Sequence, residues 1–146
     1  MRVSHHDATV RVRYAETDQM GVVYHANYLI WFEVGRVELL RSLGFNYKEM
    51  ETQDDCHIVV ADVHCRYLHP ARYDDVLRVR TRIAESGSRI VKFSYELIRE
   101  GDEQLLATGE TKHVICGKNG RPKSLPEKYR AALAVPGSAA AKRRDA

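Results

Sequence analysis

Apolar and polar residues alternate along five stretches of the chain, which is the pattern of β-strands with one buried face. The stretches cover residues 8–14, 59–67, 76–83, 91–97 and 103–116. Turn-forming residues separate or end them: Pro70, Ser86-Gly87-Ser88, Glu100-Gly101-Asp102 and Asn119-Gly120. Because such short turns join antiparallel neighbours, the pattern predicts an antiparallel sheet.

A stretch with helical periodicity lies between the first two predicted strands. It predicts a helix from about Asn27, as the N-cap, to Leu43, with Gly44 in a left-handed C-terminal position. Apolar residues fall on two sides of this helix, with Tyr28, Leu29, Phe32, Leu39, Leu40 and Leu43 on one and Ile30, Trp31, Val34 and Val37 on the other. Such a helix needs cover from more than one direction, which a sheet wrapped around it and a second subunit would supply.

The remaining segments are predicted to be peripheral. A polar connector follows the long helix, and a short helix is predicted after Pro126. Residues 137–146, GSAAAKRRDA, are too small and polar to pack. A chain of 146 residues fits one domain. We therefore predict a single domain over residues 1–136 and a flexible C-terminal tail over residues 137–146.

Charge and cysteine content narrow the classes of function. The formal net charge of +3 and the pI near 8.8 are too weak to indicate a nucleic-acid partner, but they are compatible with a small anionic ligand. Cys56, Cys65 and Cys116 form neither an even set nor a C-x-x-C pair. The sequence shows no secretory core and no apolar run long enough for a membrane span, so we expect a cytoplasmic protein.

The candidate chemistry lies just before the predicted long helix. Residues 14–28 read YAETDQMGVVYHANY and place Asp18 a few residues ahead of the helix. The first turn of a helix carries N–H groups without partners, which attract anions and polarise carbonyl oxygens. Asp18 could then attack a carbonyl held by those groups, or direct water to attack it. The structural alternative for Asp18 is an Asx turn, the commonest use of a loop aspartate.

The motif D-x-x-G-x-V-Y-H-x-N-Y, from Asp18 to Tyr28, with the helix segment FEVGRVELL and the later RYDDVL, resembles the hotdog-fold acyl-CoA thioesterases. The resemblance is greatest to the 4-hydroxybenzoyl-CoA thioesterase group and the Tol-Pal-associated thioesterases, and it extends over residues 10–125. It implies an α+β hotdog fold, in which an antiparallel sheet wraps a long central α-helix. It also implies hydrolysis of an acyl-CoA to free acid and coenzyme A, which is part of the substrate, with no cofactor.

The resemblance further assigns roles to individual residues. It makes Asp18 the catalytic carboxylate, as nucleophile or as general base, and the backbone amide of His25, on the first turn of the helix, the donor that polarises the carbonyl oxygen. It places the side chains of Tyr14 and His25 around the same site. Substrate binding is assigned to Gly21, which permits the bend, to Tyr24 and Asn27 of the motif, and to Arg89, which is expected to contact the coenzyme A phosphates.

Two other function classes remain open from the sequence. One is a hotdog dehydratase, which would use a histidine and an acid in another arrangement, and the other is a non-catalytic module that binds acyl groups or acyl carriers. No metal site is expected, because the adjacent His64 and Cys65 point to opposite strand faces and no four-ligand spacing occurs. A homodimer, or a homotetramer built from dimers, is expected because a monomer would expose apolar surface and strand edges.

Overall fold

The computed structural model describes residues 5–134, which form five strands and three α-helices. In chain order these are β1 (His6–Arg11), α1 (Asn27–Ser42), α2 (Tyr47–Asp54), β2 (His57–Tyr67), β3 (Val76–Ser86), β4 (Ile90–Arg99), β5 (Gln104–Cys116) and α3 (Glu127–Leu133). The strands form one sheet in the order β1-β3-β4-β5-β2. All the predicted strands and both predicted helices are therefore present, while the predicted tail lies outside the described residues.

β1 is shorter than the alternation predicts. It pairs antiparallel with β3, with His6 opposite Thr81 and Arg11 opposite Val76. Val12 still makes backbone hydrogen bonds with Asp74 and Asp75, and the chain leaves this pairing at Arg13, whose N–H donates to the Glu16 carboxylate at 2.7 Å. The next residues, Tyr14–Glu16, form a turn of 3-10 helix. This departure brings the chain to the loop that carries Asp18.

The C-terminal end of α1 agrees with the prediction, whereas its N-terminal end does not. Gly44 has φ +91°, and the N–H groups of Gly44 and Phe45 donate to the carbonyls of Arg41 and Leu40 at 2.9 and 3.0 Å. This arrangement confirms the predicted left-handed end. The prediction of Asn27 as N-cap is wrong, because Asn27 is the first helical residue and its side-chain amide donates to the Glu16 carbonyl at 2.9 Å.

The polar connector after α1 contains α2, which the sequence pattern did not predict. The Asn46 side chain caps this helix by accepting a hydrogen bond from the Glu49 N–H at 2.9 Å. Within α2 only Met50 is buried, so the segment YKEMETQD carries no apolar stripe to indicate a helix. None of the helices within residues 5–134 is long and apolar enough to cross a membrane.

Contacts within the chain divide it into two compact units. Unit 1 comprises the chain up to Leu39, His64–Arg82 and Ser94–Glu110. Unit 2 comprises Leu40–Val63, Ile83–Phe93 and the chain from Thr111 onward. Each unit holds buried apolar side chains of its own. The predicted single domain over residues 1–136 stays a prediction.

In unit 1, α1 lies directly against strands of the sheet. The Phe32 ring stacks on Tyr95 of β4 with 4.4 Å between ring centroids. Gly35 of α1 faces Thr81 of β3, and Gly109 of β5 faces the Phe32 ring, so closely that a Cβ atom on either glycine would overlap its neighbour. The missing side chains therefore let helix and strands approach, and this contact fixes the position of α1.

In unit 2, a polar cluster joins α2 to α3. The Asp54 carboxylate at the end of α2 accepts a hydrogen bond from the Tyr129 hydroxyl and pairs with Lys128 Nζ at 2.9 Å. The Tyr129 hydroxyl, and then Lys128, lower the pKa of Asp54. Tyr129 also packs edge-on against Phe45, with 4.9 Å between centroids. Nearby, burial raises the pKa of the Cys56 thiol to about 11, so this thiol stays protonated at neutral pH.

β2 is less buried than its alternation predicts. The sequence predicted one core-facing set on this strand, but Val59, Val63 and Tyr67 are 48, 40 and 45% exposed and only Cys65 of that set is half-buried. The reason is that β2 is an edge strand of the sheet. On α1, two residues of the predicted apolar stripes, Leu29 and Ile30, are also exposed, at 38 and 54%. The isolated chain therefore presents apolar side chains to solvent on both elements.

Candidate active site

A tight turn presents the Asp18 side chain. The Asp18 N–H donates to the Val22 carbonyl at 2.8 Å, and the Gly21 N–H donates to the Asp18 carbonyl at 3.0 Å with Gly21 at φ +80°. Asp18 Oδ1 accepts the Met20 N–H at 2.8 Å, so the Asx turn considered above is present. It occupies one carboxylate oxygen. Among the described residues none donates to Oδ2, which is therefore available for chemistry.

The buried Glu16 ties the Asp18 loop to the start of α1. Its carboxylate accepts the Arg13 N–H at 2.7 Å and the Trp31 indole N–H at 3.2 Å. Its backbone carbonyl accepts the Tyr24 N–H at 2.8 Å and the Asn27 side-chain amide at 2.9 Å. A buried carboxylate that is fully hydrogen-bonded is a rigid anchor. Glu16 thus fixes both ends of the loop relative to the helix.

His25 lies in the turn that leads into α1, two residues before the helix begins, rather than in its first turn as predicted. The carbonyls of Tyr24 and His25 accept the N–H groups of Asn27 and Tyr28 at 3.0 and 3.3 Å. Since C=O and N–H point opposite ways across a trans peptide, the N–H groups of His25 and Ala26 point away from the helix. Within residues 5–134 neither N–H has an acceptor, so both are free donors beside the helix start.

Asp18 and His25 line one cavity of about 350 Å³ in unit 1. The wall combines the predicted motif with the end of β2 and the loop after it, and consists of Asp18, Val22, Val23, His25, Tyr28 and residues 67–70. Small-molecule sites in proteins typically measure about 300–1,000 Å³, so this cavity suits a small group or part of a larger ligand. Asp18 and His25, which has a free backbone N–H, therefore line one largely apolar cavity.

Two tyrosines of the wall anchor the surrounding backbone. The Tyr28 hydroxyl accepts the Ala71 N–H at 3.1 Å, and the Tyr67 hydroxyl donates to the His25 carbonyl at 2.8 Å. Their rings lie 4.9 Å apart at centroids. Burial raises the pKa of both phenols, so both remain protonated at neutral pH.

The sequence argument did not assign Glu16, Tyr28 or Tyr67 to the site. Tyr28 was assigned to the apolar face of the helix and Tyr67 to a core-facing strand. Their hydrogen bonds reach partners 43 and 42 positions away in the chain, which a local motif does not show. One feature of the sequence could have indicated Tyr67 as a site residue: it stands directly before Leu68-His69-Pro70, which ends the strand.

Three other residues assigned from the motif support the loop without lining the cavity. Gly21 and Asn27 make the backbone turn and the bond to Glu16 described above. The Tyr24 ring lies 4.5 Å from the His25 ring at centroids and is 49% exposed. Tyr24 therefore packs against the His25 ring and is about half exposed to solvent.

Tyr14 and Arg89 also lie outside the cavity wall. Tyr14 begins the 3-10 turn, is 78% exposed and packs edge-on against Tyr73 with 5.7 Å between centroids. Arg89 is an exposed residue of unit 2, and its backbone carbonyl accepts the Ile115 N–H at 2.9 Å. Its guanidinium is thus presented to solvent, where it could meet a charged ligand.

Other reactive side chains add no second candidate site in the described part of the chain. No group of three or more His, Cys, Asp or Glu residues is placed there to hold a metal ion. The three cysteines are free thiols. Burial raises the pKa of Cys65, on the same strand as Tyr67, which makes it a poor nucleophile at neutral pH.

The sequence profile of the thioesterase-like superfamily matches residues 12–133. The chain belongs to this superfamily. It shares the hotdog fold with solved thioesterase structures, so the fold and the thioester hydrolase class predicted from the motif are confirmed.

Individual relatives agree with the family assignment. A Bacillus subtilis protein provisionally named acyl-CoA thioesterase YneP is 41% identical over 107 residues, which are 73% of this chain and 75% of that protein. The acyl-CoA thioesterase YbgC of Haemophilus influenzae is 35% identical over 126 residues, which are 85% of this chain and 90% of that protein. The crystal structure of the DHNA-CoA thioesterase from Staphylococcus aureus superposes with a TM-score of 0.81 at 29% identity, covering 88% of this chain and 87% of that one.

Proposed function

We propose that this protein hydrolyses an acyl-CoA thioester to the free acid and coenzyme A, at the cavity that Asp18 and His25 line. The observation that carries the proposal is that one cavity is lined by Asp18, with an available carboxylate oxygen, and by His25, with a free backbone N–H. Thioester hydrolysis requires both, a group that attacks or activates water and a donor on the carbonyl oxygen. The named activities of the relatives support the choice of acyl-CoA as substrate.

The backbone N–H of His25 polarises the thioester carbonyl in the proposed reaction. As charge develops on that oxygen, a fixed N–H stabilises it without reorganisation. The His25 imidazole is proposed to border the reacting groups, while Gly21, Tyr24 and Asn27 shape the loop around the substrate. The role assigned to the Tyr14 phenol stays a prediction, since Tyr14 lies outside the cavity wall. No cofactor takes part, because coenzyme A enters as part of the substrate.

Asp18 can complete the reaction in two ways. As nucleophile, its carboxylate attacks the carbonyl carbon, the C–S bond breaks, the thiolate leaves and takes a proton, and water then hydrolyses the mixed anhydride. As general base, Asp18 takes a proton from the water that attacks. A single turnover in ¹⁸O-labelled water distinguishes the two routes when water attacks the Asp18 carbonyl of the anhydride. In the nucleophilic route the acid released first then contains no ¹⁸O, because its new oxygen comes from Asp18. In the general-base route the acid contains one ¹⁸O from water.

The substrate is proposed to lie with its acyl thioester in the cavity and its nucleotide in solvent. The wall supplies apolar contacts from Val22, Val23 and Tyr28 for an acyl group. The nucleotide carries phosphates, and Arg89 is the proposed basic contact for them. Exposed phosphate contacts of this kind add little each and weaken with salt.

We also propose that the protein works as a homodimer, or as a tetramer of dimers, in the cytoplasm. The exposed apolar residues of the edge strand β2 support assembly, since an unpaired apolar edge favours pairing with another chain. Three free thiols support a reducing compartment.

The test is thiol release from a panel of acyl-CoAs by the wild-type protein and by Asp18→Asn. We expect hydrolysis of at least one acyl-CoA, and a fall in kcat of roughly 10²- to 10⁴-fold in the folded variant, as for loss of a positioned acid-base group. Asp74→Asn is the matched control, because Asp74 is 62% exposed, pairs with Arg11 on the surface and has a positive φ that asparagine tolerates. Wild-type turnover by folded Asp18→Asn would remove Asp18 from the mechanism, and binding of acyl-CoA without thiol release would indicate a binding module.

A further inference from the structure

We propose that Tyr67 is a positioning residue for the hydrolysis, and that its hydroxyl fixes the backbone next to the oxyanion donor. The inference rests on the proposed function and adds to it a residue outside the Asp18 motif. Tyr67 is the last residue of β2, and His25 lies in the turn before α1. The hydroxyl joins these two elements at the cavity wall.

The hydrogen bond from Tyr67 is the shorter of the two that hold the His25 carbonyl. Tyr67 Oη donates to this oxygen at 2.8 Å, while the Tyr28 N–H donates to it at 3.3 Å. Typical N–H to oxygen bonds measure about 2.9–3.0 Å, so the bond from Tyr28 is long. Without the hydroxyl, the peptide between His25 and Ala26 would keep only that weak restraint.

The orientation of this peptide controls the donors beside the helix. The peptide before His25 is held by the bond from the Asn27 N–H to the Tyr24 carbonyl. The peptide after His25 is held mainly by Tyr67. Because each trans peptide is planar, fixing the His25 carbonyl also fixes the direction of the Ala26 N–H and limits rotation about the His25 Cα. Tyr67 therefore fixes the Ala26 N–H directly, and it restrains the His25 N–H, the proposed oxyanion donor, through the backbone torsions at His25.

Tyr67 is itself held in place to make this bond. Its ring packs against Tyr28 at 4.9 Å and edge-on against the His25 ring at 6.3 Å, measured between centroids. Burial and the nearby Cys65 raise the pKa of the phenol, so it remains a donor throughout the working pH range. The aromatic contacts involve the ring alone, so removal of the hydroxyl leaves them intact.

The test is Tyr67→Phe, which removes the hydroxyl and keeps the ring. We expect kcat to fall roughly five- to tenfold, the effect of losing one hydrogen bond that orients the transition-state contact, with KM unchanged. The melting temperature should stay within about 2 °C, since Tyr67 is partly exposed and a partly exposed bond adds little stability. Tyr73→Phe is the matched control, because it removes an exposed hydroxyl of unit 1 and keeps the ring contact with Tyr14.

A second measurement reads the bond directly. The amide nitrogen of Ala26 belongs to the peptide whose carbonyl accepts the Tyr67 proton, so its NMR chemical shift should move in Tyr67→Phe and stay unchanged in Tyr73→Phe. An unchanged Ala26 shift, an unchanged kcat, or a change in KM alone would each overturn the positioning role. If Asp18→Asn abolishes turnover while Tyr67→Phe matches the wild type, only this inference fails. If Asp18→Asn is fully active, the proposed function of the cavity fails first.

Discussion

The two oxygens of the Asp18 carboxylate serve different ends. Oδ1 is used within the turn by the Met20 N–H, which sets the side-chain rotamer before any substrate arrives. Oδ2 has no protein donor among the described residues. A group already held in its working rotamer loses little entropy when the substrate binds, which favours the reaction. The structural and the catalytic interpretation of this aspartate are therefore compatible.

At the scale of single residues, Arg89→Ala tests the proposed phosphate contact. We expect KM for acyl-CoA to rise by up to about fivefold with kcat kept, because an exposed ion pair contributes roughly a kcal/mol or less and acts equally on ground and transition states. Kinetics at low and high salt should show the difference shrinking as salt screens the pair. Arg121→Ala, another exposed arginine of unit 2, is the control. An unchanged KM, or a loss of kcat alone, would place the nucleotide elsewhere.

The local motif predicts those site residues that are close together in the chain. Asp18 and His25 are seven positions apart in one loop, and they do line one cavity. Tyr67 belongs to the site through a contact that spans 42 positions, and Glu16 through a bond to Trp31 one helical turn beyond Asn27. These contacts depend on how the sheet edge meets the helix start, which no local pattern encodes.

At the scale of elements, one ion pair links β1 to β3. Asp7 and Arg80 are directly opposite in the ladder, and Arg80 Nε and Nη2 donate to the two Asp7 oxygens at 2.9 and 3.0 Å. The hydrogen bonds from Arg80 are the main cause of a lowered pKa of Asp7. Both side chains are about three-quarters buried, with 28 and 25% exposure. A bidentate pair in this setting ties the N-terminal strand to its neighbour.

The Asp7 pair predicts a specific pH dependence of stability. Since the folded pKa of Asp7 lies below its unfolded value, its contribution is complete above about pH 5 and is lost as the pH falls through the folded pKa. We expect Asp7→Asn to lower the free energy of unfolding at pH 7 by about 1 kcal/mol. The difference from wild type should shrink as the pH falls through the folded pKa of Asp7. Denaturant unfolding of both proteins from pH 2 to 7 measures it, and a constant difference would contradict the assignment.

The strands were predictable because their side chains alternate between buried and partly exposed positions. β4 shows this most clearly, with Val91, Phe93, Tyr95 and Leu97 buried and the residues between them half-buried. Alternation of apolar and polar residues indicates that a strand has one apolar and one polar face. It does not indicate whether another part of the protein covers the apolar face. The edge strand β2 alternates in sequence and is exposed in the single chain. The helix α2 was missed because one buried residue makes no period.

At the scale of the whole molecule, the exposed apolar strand β2 predicts self-association. We expect light scattering to give a dimer or a tetramer at working concentration, and Val63→Arg, which places a charge on this strand, to shift the protein toward monomer. Activity should fall with the loss of assembly if each site draws residues from two chains. Gln53→Arg is the control, since it adds the same charge at an exposed position of α2. A fully active monomer at working concentration would refute the assembly.

The order of strands in the sheet has a consequence for how the protein is made. β3, β4 and β5 follow one another through short turns, whereas seventy-five residues separate His6 from its partner Thr81. Closing a loop of that length costs roughly 2–3 kcal/mol more chain entropy than closing a turn of about four residues. At about 5–20 residues per second, translation reaches Thr81 roughly 4 to 15 seconds after His6. During that interval β1 of the nascent chain has no strand partner, and its apolar face is available for contacts with other molecules.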